Sequence, residues 1–179
     1  MVSSVCASVI AGILFGTTPS LYVGQLSPLP VKLYLLVALL GILLGLFGCL
    51  YNKVLLTTQD LYAKIRRLTP FSRILIPFLL VIPIGLLFPE LLGGGHHIIT
   101  LVETQHFPLT VLLLYLMVRF LFSMISYGGG APGGIFLPLL ALGACFGALY
   151  GNGMQSILGF EKNYVLNFIV FAMAGFLTS

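Results

Sequence analysis

The residues most able to do chemistry form a glycine- and proline-rich run in the middle of an otherwise apolar chain. The run, residues 128–138, reads GGGAPGGIFLP and separates the apolar segments Pro108–Tyr127 and Leu139–Tyr150. Irregular backbone at membrane depth is tolerated where it is buried in protein or lines a polar cavity. Many transporters build an ion site from helix ends at such a break. The run therefore predicts an ion-binding break between two membrane helices.

The chemistry expected of this break comes from its backbone. A helix start exposes N–H groups that have no partner within the helix, and the aligned peptide dipoles place about +0.5 of a charge there. Such a start binds an anion without a cationic side chain, and weakly enough for the ion to leave again. We predict that Ile135 and Phe136 present their N–H groups to the anion while their side chains keep the site dry.

Four neighbouring residues are predicted to shape the break. Gly133 and Gly134 allow the backbone to approach an ion and to adopt positive φ, and Leu137 and Pro138 lead into the following helix, with Pro138 in its first turn. The alternative is a plain glycine–proline turn between two membrane helices, because both residue types are common in membrane proteins. Spacing alone leaves both interpretations open.

Composition identifies the class of protein. The 179 residues are 59% hydrophobic and only 7% charged, with a mean hydropathy of +1.15, whereas soluble domains carry about 25% charged residues. We therefore expect an all-helical, polytopic membrane protein that contacts the lipid bilayer. The net charge of +4 does not indicate nucleic-acid binding, because five of the eight basic residues lie between Lys53 and Arg73. That cluster is typical of a cytoplasmic, positive-inside loop.

The hydropathy pattern predicts the elements that position the break. The expected apolar helices are Val2–Gly16, Val31–Tyr51 with a helical continuation to Leu68, Ile74–Phe88, Pro108–Tyr127, Pro138–Tyr150 and Asn163–Thr178. The second is expected to be a long tilted helix that emerges on the cytoplasmic side and ends at Pro70. Pro77 and Pro83 predict a tilted or broken third helix. We interpret residues 151–162 as a polar connector and residues 89–107 as a loop.

A few polar residues outside the run are candidates for function. Arg119 lies well inside an apolar helix, where a charge faces a cavity or a partner, caps helix carbonyls nearby or sits near the membrane interface. Tyr127 could donate a hydrogen bond near the ion pathway, although a tyrosine in such a place more often anchors at an interface or packs in a core. His96, His97 and Glu103 show no metal-ligand spacing, so we interpret them as solvated loop residues. The three cysteines match no zinc pattern and are expected to be buried.

The motif that carries a family resemblance is the break itself. Gly134–Pro138 matches the G-x-F-x-P signature of the CLC family of chloride channels and chloride/proton antiporters. The similarity extends over residues 26–27, 41–48, 51–53, 59–60, 93–95, 126–133 and 139–143. It covers essentially the whole chain in register.

The resemblance implies a fold, a site and partners. The fold would be an inverted repeat, of which residues 1–179 hold the end of one half and the start of the other. The amides of Ile135 and Phe136 would help to form the central chloride site. The family's serine loop, its gating glutamate and its late tyrosine have no counterpart in this chain, which therefore resembles a partial subunit. A homodimer is implied, with Val2–Gly16 near its interface, and no organic or metal cofactor.

Three classes of function compete at this point. The first is transmembrane movement of chloride and similar small anions, by a voltage-gated channel or an antiporter, in the cell membrane. The second is a membrane-embedded enzyme, which would need a nucleophile–base pair or a metal triad that the sequence lacks. The third is a non-conducting membrane fragment that only scaffolds or associates with other subunits. The sequence favours the first.

Overall fold

The computed structural model is helical wherever it contains regular structure. It describes Val5, Val9, Ile10, Ile13 and residues 26–65, 69–91, 99–102, 107–130 and 134–178. The α-helices in this part are α1 (Tyr34–Lys64), α2 (Pro70–Leu87), α3 (Leu109–Gly128), α4 (Phe136–Leu158) and α5 (Val165–Thr178). Short 3-10 turns lie at Val31–Leu33, Pro89–Leu91 and Lys162–Tyr164. The predicted all-α class is confirmed.

Three stretches are long and apolar enough to cross a membrane. They are Val31–Lys64, which includes α1, together with α3 and α4, while α2 and α5 are shorter apolar helices. With 31 residues, α1 is about 46 Å long at 1.5 Å per residue. The hydrocarbon core of a bilayer is about 30 Å thick, so α1 must tilt or emerge from it. This agrees with the long helix expected from the sequence.

Several predicted helix ends are corrected. Pro70 begins α2 after the N-cap Thr69, whereas α1 ends earlier, at Lys64. Despite Pro77 and Pro83, α2 is one unbroken helix, because proline is tolerated in membrane helices where neighbouring groups satisfy the freed backbone.

The fourth helix is longer than predicted at both ends. It begins at Phe136, two residues before Pro138, and continues past Tyr150 through most of the expected polar connector. Helical hydrogen bonding continues through the moderately polar residues 151–158 until Gly159, which adopts the left-handed conformation with φ of 67°. Glycine is the usual residue for that type of helix end.

The core of the bundle is the place where α1, α3, α4 and α5 meet. Phe47 of α1 lies 5.6 Å from Phe120 of α3, 5.1 Å from Phe146 of α4 and 5.3 Å from Phe176 of α5, measured between ring centroids. Aromatic pairs at these separations stabilise packing beyond the area they bury. This cluster ties the helices on both sides of the glycine run, α3 and α4, to α1.

Helices α4 and α5 pack closely against each other along a row of glycines. Gly143, Gly147 and Gly151 repeat at every fourth position of α4 and face α5 so closely that a Cβ atom at any of them would lie within 3 Å of an α5 atom. Small residues permit this approach of two helices in lipid. A hydrogen bond also joins α4 to α1, because the Tyr150 hydroxyl donates to the Leu36 carbonyl over 2.8 Å. The close approach to α5 holds α4, and therefore its N-terminus, in place, whereas the Tyr150 bond joins a later turn of α4 to α1.

Candidate anion site at the glycine break

The end of α3 is held by two neighbouring helices where it reaches the break. At Gly128, an added Cβ would lie 2.5 Å from Cγ2 of Thr58 in α1. At Gly129, it would lie 3.0 Å from the carbonyl oxygen of Arg73 in α2. Glycine is needed at both positions because the neighbours approach too closely for a side chain. These contacts fix the side of the break that belongs to α3.

A side-chain hydrogen bond joins the two sides of the break. The hydroxyl of Tyr127, in the last turn of α3, donates to the carbonyl oxygen of Gly134 over 3.1 Å. Gly134 lies two residues before the first residue of α4. The structure therefore contains one of the contacts considered for Tyr127, a hydrogen bond at the break, while its place beside an ion pathway stays a prediction.

The start of α4 presents free backbone donors. Ile135 is the N-cap residue, it provides no side-chain cap, and no acidic residue occupies the first turn. The N–H groups of Ile135 and Phe136 find no acceptor among the described residues. Pro138, the third residue of α4, has no N–H to satisfy, so it fits the first turn as predicted. Among the described residues, the start of this 23-residue helix thus offers two backbone amides without an acceptor.

The predicted conformation of the glycines needs one correction. Gly134 was expected to adopt positive φ, but at the break it is Gly130 that does so, with φ of 78°. Gly130 directly follows α3 and its capping residue Gly129, where the chain must turn away from the helix axis. Gly133, which was expected to behave in the same way, lies outside the described residues. An added Cβ at Gly134 meets no atom within 4 Å, so there is open space beside the amides.

The side chains at the break do not enclose it within the described part of the chain. Ile135 is 40% exposed, Phe136 is 57% exposed and Leu137 is 37% exposed. The side chains of Ile135 and Phe136 were expected to keep the site dry, but among the described residues both remain exposed.

Arg119 is the buried charge closest in sequence to the break. It is 6% exposed, and its Nε and Nη2 atoms find no hydrogen-bond partner among the described residues. It precedes Tyr127 by eight residues, which is about 12 Å along α3 at 1.5 Å per residue. No carbonyl of the described residues accepts from these two nitrogen atoms, and the role of Arg119 stays a prediction.

Other candidate residues lie away from the break or outside the described part. His96, His97, Glu103 and Cys6 are outside the described residues. Cys145 is buried as predicted, whereas Cys49 is exposed because it lies on the face of α1 that points away from the other helices. Sequence reasoning missed the hydrogen bond from the Tyr115 hydroxyl to Glu90. The two residues are 25 positions apart, and no local pattern links them.

Comparison with known proteins identifies the family. The sequence profile described as voltage gated chloride channel matches residues 1–179, the full length of the chain. The chain belongs to this family. It is 36% identical to the H(+)/Cl(−) exchange transporter ClcA of Klebsiella pneumoniae, over 96% of this chain and 36% of that protein. It is 34% identical to the ClcA of Vibrio vulnificus, over 88% of this chain and 34% of that protein.

A solved structure agrees with the family assignment. The crystal structure of a slow cyanobacterial Cl−/H+ antiporter superimposes with a TM-score of 0.77 at 27% identity, over 96% of this chain and 40% of that one. The chain spans about a third of the length of the curated relatives it matches. As a member of the voltage gated chloride channel family, it is an integral, multi-pass membrane protein. Its bacterial relatives indicate the cell membrane as its location.

Proposed function

We propose that the gene-encoded protein containing this chain moves chloride and similar small anions across the cell membrane, with the amides of Ile135 and Phe136 as ion ligands. The observation that supports the proposal is the start of α4, where the N–H groups of Ile135 and Phe136 have no acceptor among the described residues and an added Cβ at Gly134 meets none of their atoms within 4 Å. No acidic side chain in the first turn competes with an anion there. The backbone-amide site is therefore electrostatically suited to chloride.

Transport requires weak binding as well as selective binding. Partial charges on amides attract an anion less strongly than a lysine in direct contact would, so the ion can leave again. The Arg119 guanidinium adds a longer-range attraction, because it is buried, two of its nitrogens have no partner among the described residues, and it lies about two turns of α3 from the break. In this arrangement the amides select the ion and Arg119 raises its local concentration.

The relatives suggest the mode of transport and the assembly. The similar proteins are named as proton/chloride exchangers, and exchange of chloride for protons is the mode that we propose. They favour transport over the alternative of a non-conducting scaffold. We propose that residues 1–179 form part of a transmembrane domain built as an inverted repeat, in a subunit that forms a homodimer. The exposed side chains at the break require a cover, which the rest of such a subunit would provide. Neither an enzymatic reaction nor a cofactor enters the proposal.

The experiment substitutes the glycine beside the amides. An added Cβ at Gly134 meets no described atom within 4 Å, so the Gly134→Val protein should fold, while its chloride affinity should fall by about tenfold or more because the side chain blocks the approach of the anion to the backbone amides. The measurements are calorimetric chloride binding and chloride efflux from liposomes, both with the gene-encoded protein. Gly41→Val is the matched control, since a Cβ at Gly41 in α1 also meets no atom within 4 Å.

Two results would contradict the proposal. The amide site is wrong if Gly134→Val binds chloride as tightly as the wild type. Transport itself is wrong if the wild-type protein carries no chloride efflux, and the scaffold alternative then replaces it.

A further inference from the structure

The hydrogen bond across the break involves the same peptide unit as the proposed ligand. Tyr127 donates to the carbonyl oxygen of Gly134, and this carbonyl shares its peptide group with the N–H of Ile135. A trans peptide is planar, and its C=O and N–H bonds point in opposite directions. Fixing the oxygen therefore fixes the direction of the hydrogen. The Ile135 N–H must point away from the Tyr127 hydroxyl.

The backbone next to Tyr127, the donor of this bond, is packed tightly against two other helices. Tyr127 directly precedes Gly128 and Gly129, whose backbone lies against Thr58 of α1 and the Arg73 carbonyl of α2. The position of the hydroxyl is consequently set by three helices. On the other side of the bond, Gly134 has no side chain of its own to restrict the peptide unit. Without the hydroxyl, the Gly134–Ile135 peptide could rotate.

A packing role for Tyr127 would not need this bond. The ring alone would fill the space between α3 and its neighbours, and phenylalanine would supply the same ring. The hydroxyl makes its hydrogen bond to the one carbonyl whose orientation controls the Ile135 amide. Preorganised ligands bind more tightly because less conformational freedom is lost on binding.

We propose that Tyr127 is a positioning residue that aims the Ile135 amide at the anion and so sets both affinity and selectivity. This inference rests on the proposed function, because it takes the amide to be a chloride ligand. A fixed donor direction favours an anion of one size, whereas a mobile peptide adapts to larger ions. Loss of the hydroxyl should therefore weaken chloride binding more than nitrate binding.

The test compares two tyrosine-to-phenylalanine variants. Tyr127→Phe removes the hydrogen bond to the Gly134 carbonyl. Tyr150→Phe removes another hydroxyl-to-carbonyl bond, the 2.8 Å bond from α4 to Leu36 of α1. Calorimetry on the gene-encoded protein gives the dissociation constants for chloride and nitrate. We expect Tyr127→Phe to weaken chloride binding on the order of threefold to tenfold, as for one lost hydrogen bond, and to lower the preference for chloride over nitrate.

The control separates positioning from general structure. Tyr150→Phe should lower the melting temperature and leave both dissociation constants unchanged. The positioning role of Tyr127 is overturned if the wild type binds chloride and Tyr127→Phe retains wild-type affinity and selectivity. It is also overturned if Tyr150→Phe changes the selectivity as much as Tyr127→Phe does. Absence of chloride binding by the wild type would overturn the proposed function and, with it, the positioning role of Tyr127.

Discussion

The close packing of α4 on α5 provides a quantitative prediction about what holds the break in place. We consider Gly147→Ala, which adds one methyl group at the centre of this contact. The added Cβ would lie 2.7 Å from Cα of Ile169 and from Cβ of Ala172, and 2.8 Å from the carbonyl oxygen of Phe168. Two of these three atoms belong to the backbone of α5, so no side-chain rotation relieves the clash. The helices must move apart.

The size of the effect follows from these distances. Ordinary contacts of a Cβ begin at 3.4 Å, so α4 and α5 must separate by 3.4 − 2.7 = 0.7 Å at this point. Overpacking of this kind costs about 1–3 kcal/mol, and we expect the upper part of this range because backbone is involved. Replacing a helical glycine by alanine also stabilises the helix by about 0.8–1.0 kcal/mol, which offsets part of this cost. The net loss in the free energy of unfolding is then about 1–2 kcal/mol.

The assay is thermal unfolding in detergent, with a control on the same helix. A loss of about 1–2 kcal/mol lowers the melting temperature of a chain of this size by about 2–8 °C. Gly153→Ala is the control, because Gly153 also lies in α4 but an added Cβ there meets no atom within 4 Å. It should be as stable as the wild type or more stable. Equal melting temperatures for the two variants would refute the close approach of α4 and α5.

Two further predictions concern the charge and the helix cap near the break. Arg119→Gln should weaken chloride binding by up to about tenfold, because one unit charge at a separation of about 12 Å, the rise along α3 from Arg119 to Tyr127 at the edge of the break, contributes about 1.4 kcal/mol at an effective dielectric constant of about 20. Arg119→Lys should retain the affinity in the same calorimetric titration, and equal losses in both variants would argue for packing instead. Thr69→Ala removes the N-cap of α2, whose side-chain oxygen accepts a 3.3 Å hydrogen bond from the Ser72 amide. It should destabilise the protein by about 1 kcal/mol in thermal unfolding, and an unchanged melting temperature would show that water replaces the cap.

Local sequence was sufficient for the class of fold and the place of the candidate site. Long apolar stretches cannot remain in water, and inside lipid the backbone satisfies itself most simply as a helix. The helices α1, α3 and α5 were therefore predicted with small errors at their ends. The break was evident because glycine and proline disfavour the helix that surrounds them. Its assignment as an anion site also needed the family motif, since spacing alone left a plain turn possible.

The remaining features depend on contacts between residues far apart in the chain. Periodicity did not predict that Gly143, Gly147 and Gly151 meet α5, that the Arg73 carbonyl lies against Gly129, or that Tyr115 bonds to Glu90. The hydropathy pattern predicted an end of α4 that is too early. A helix that is already packed continues through moderately polar residues until a glycine such as Gly159 ends it. Sequence thus determined where an anion-binding helix start can form, since backbone chemistry is local. Only the tertiary structure brought the Tyr127 hydroxyl of α3 to the Gly134 carbonyl, because that contact depends on how the helices pack, and we propose that it directs the Ile135 amide.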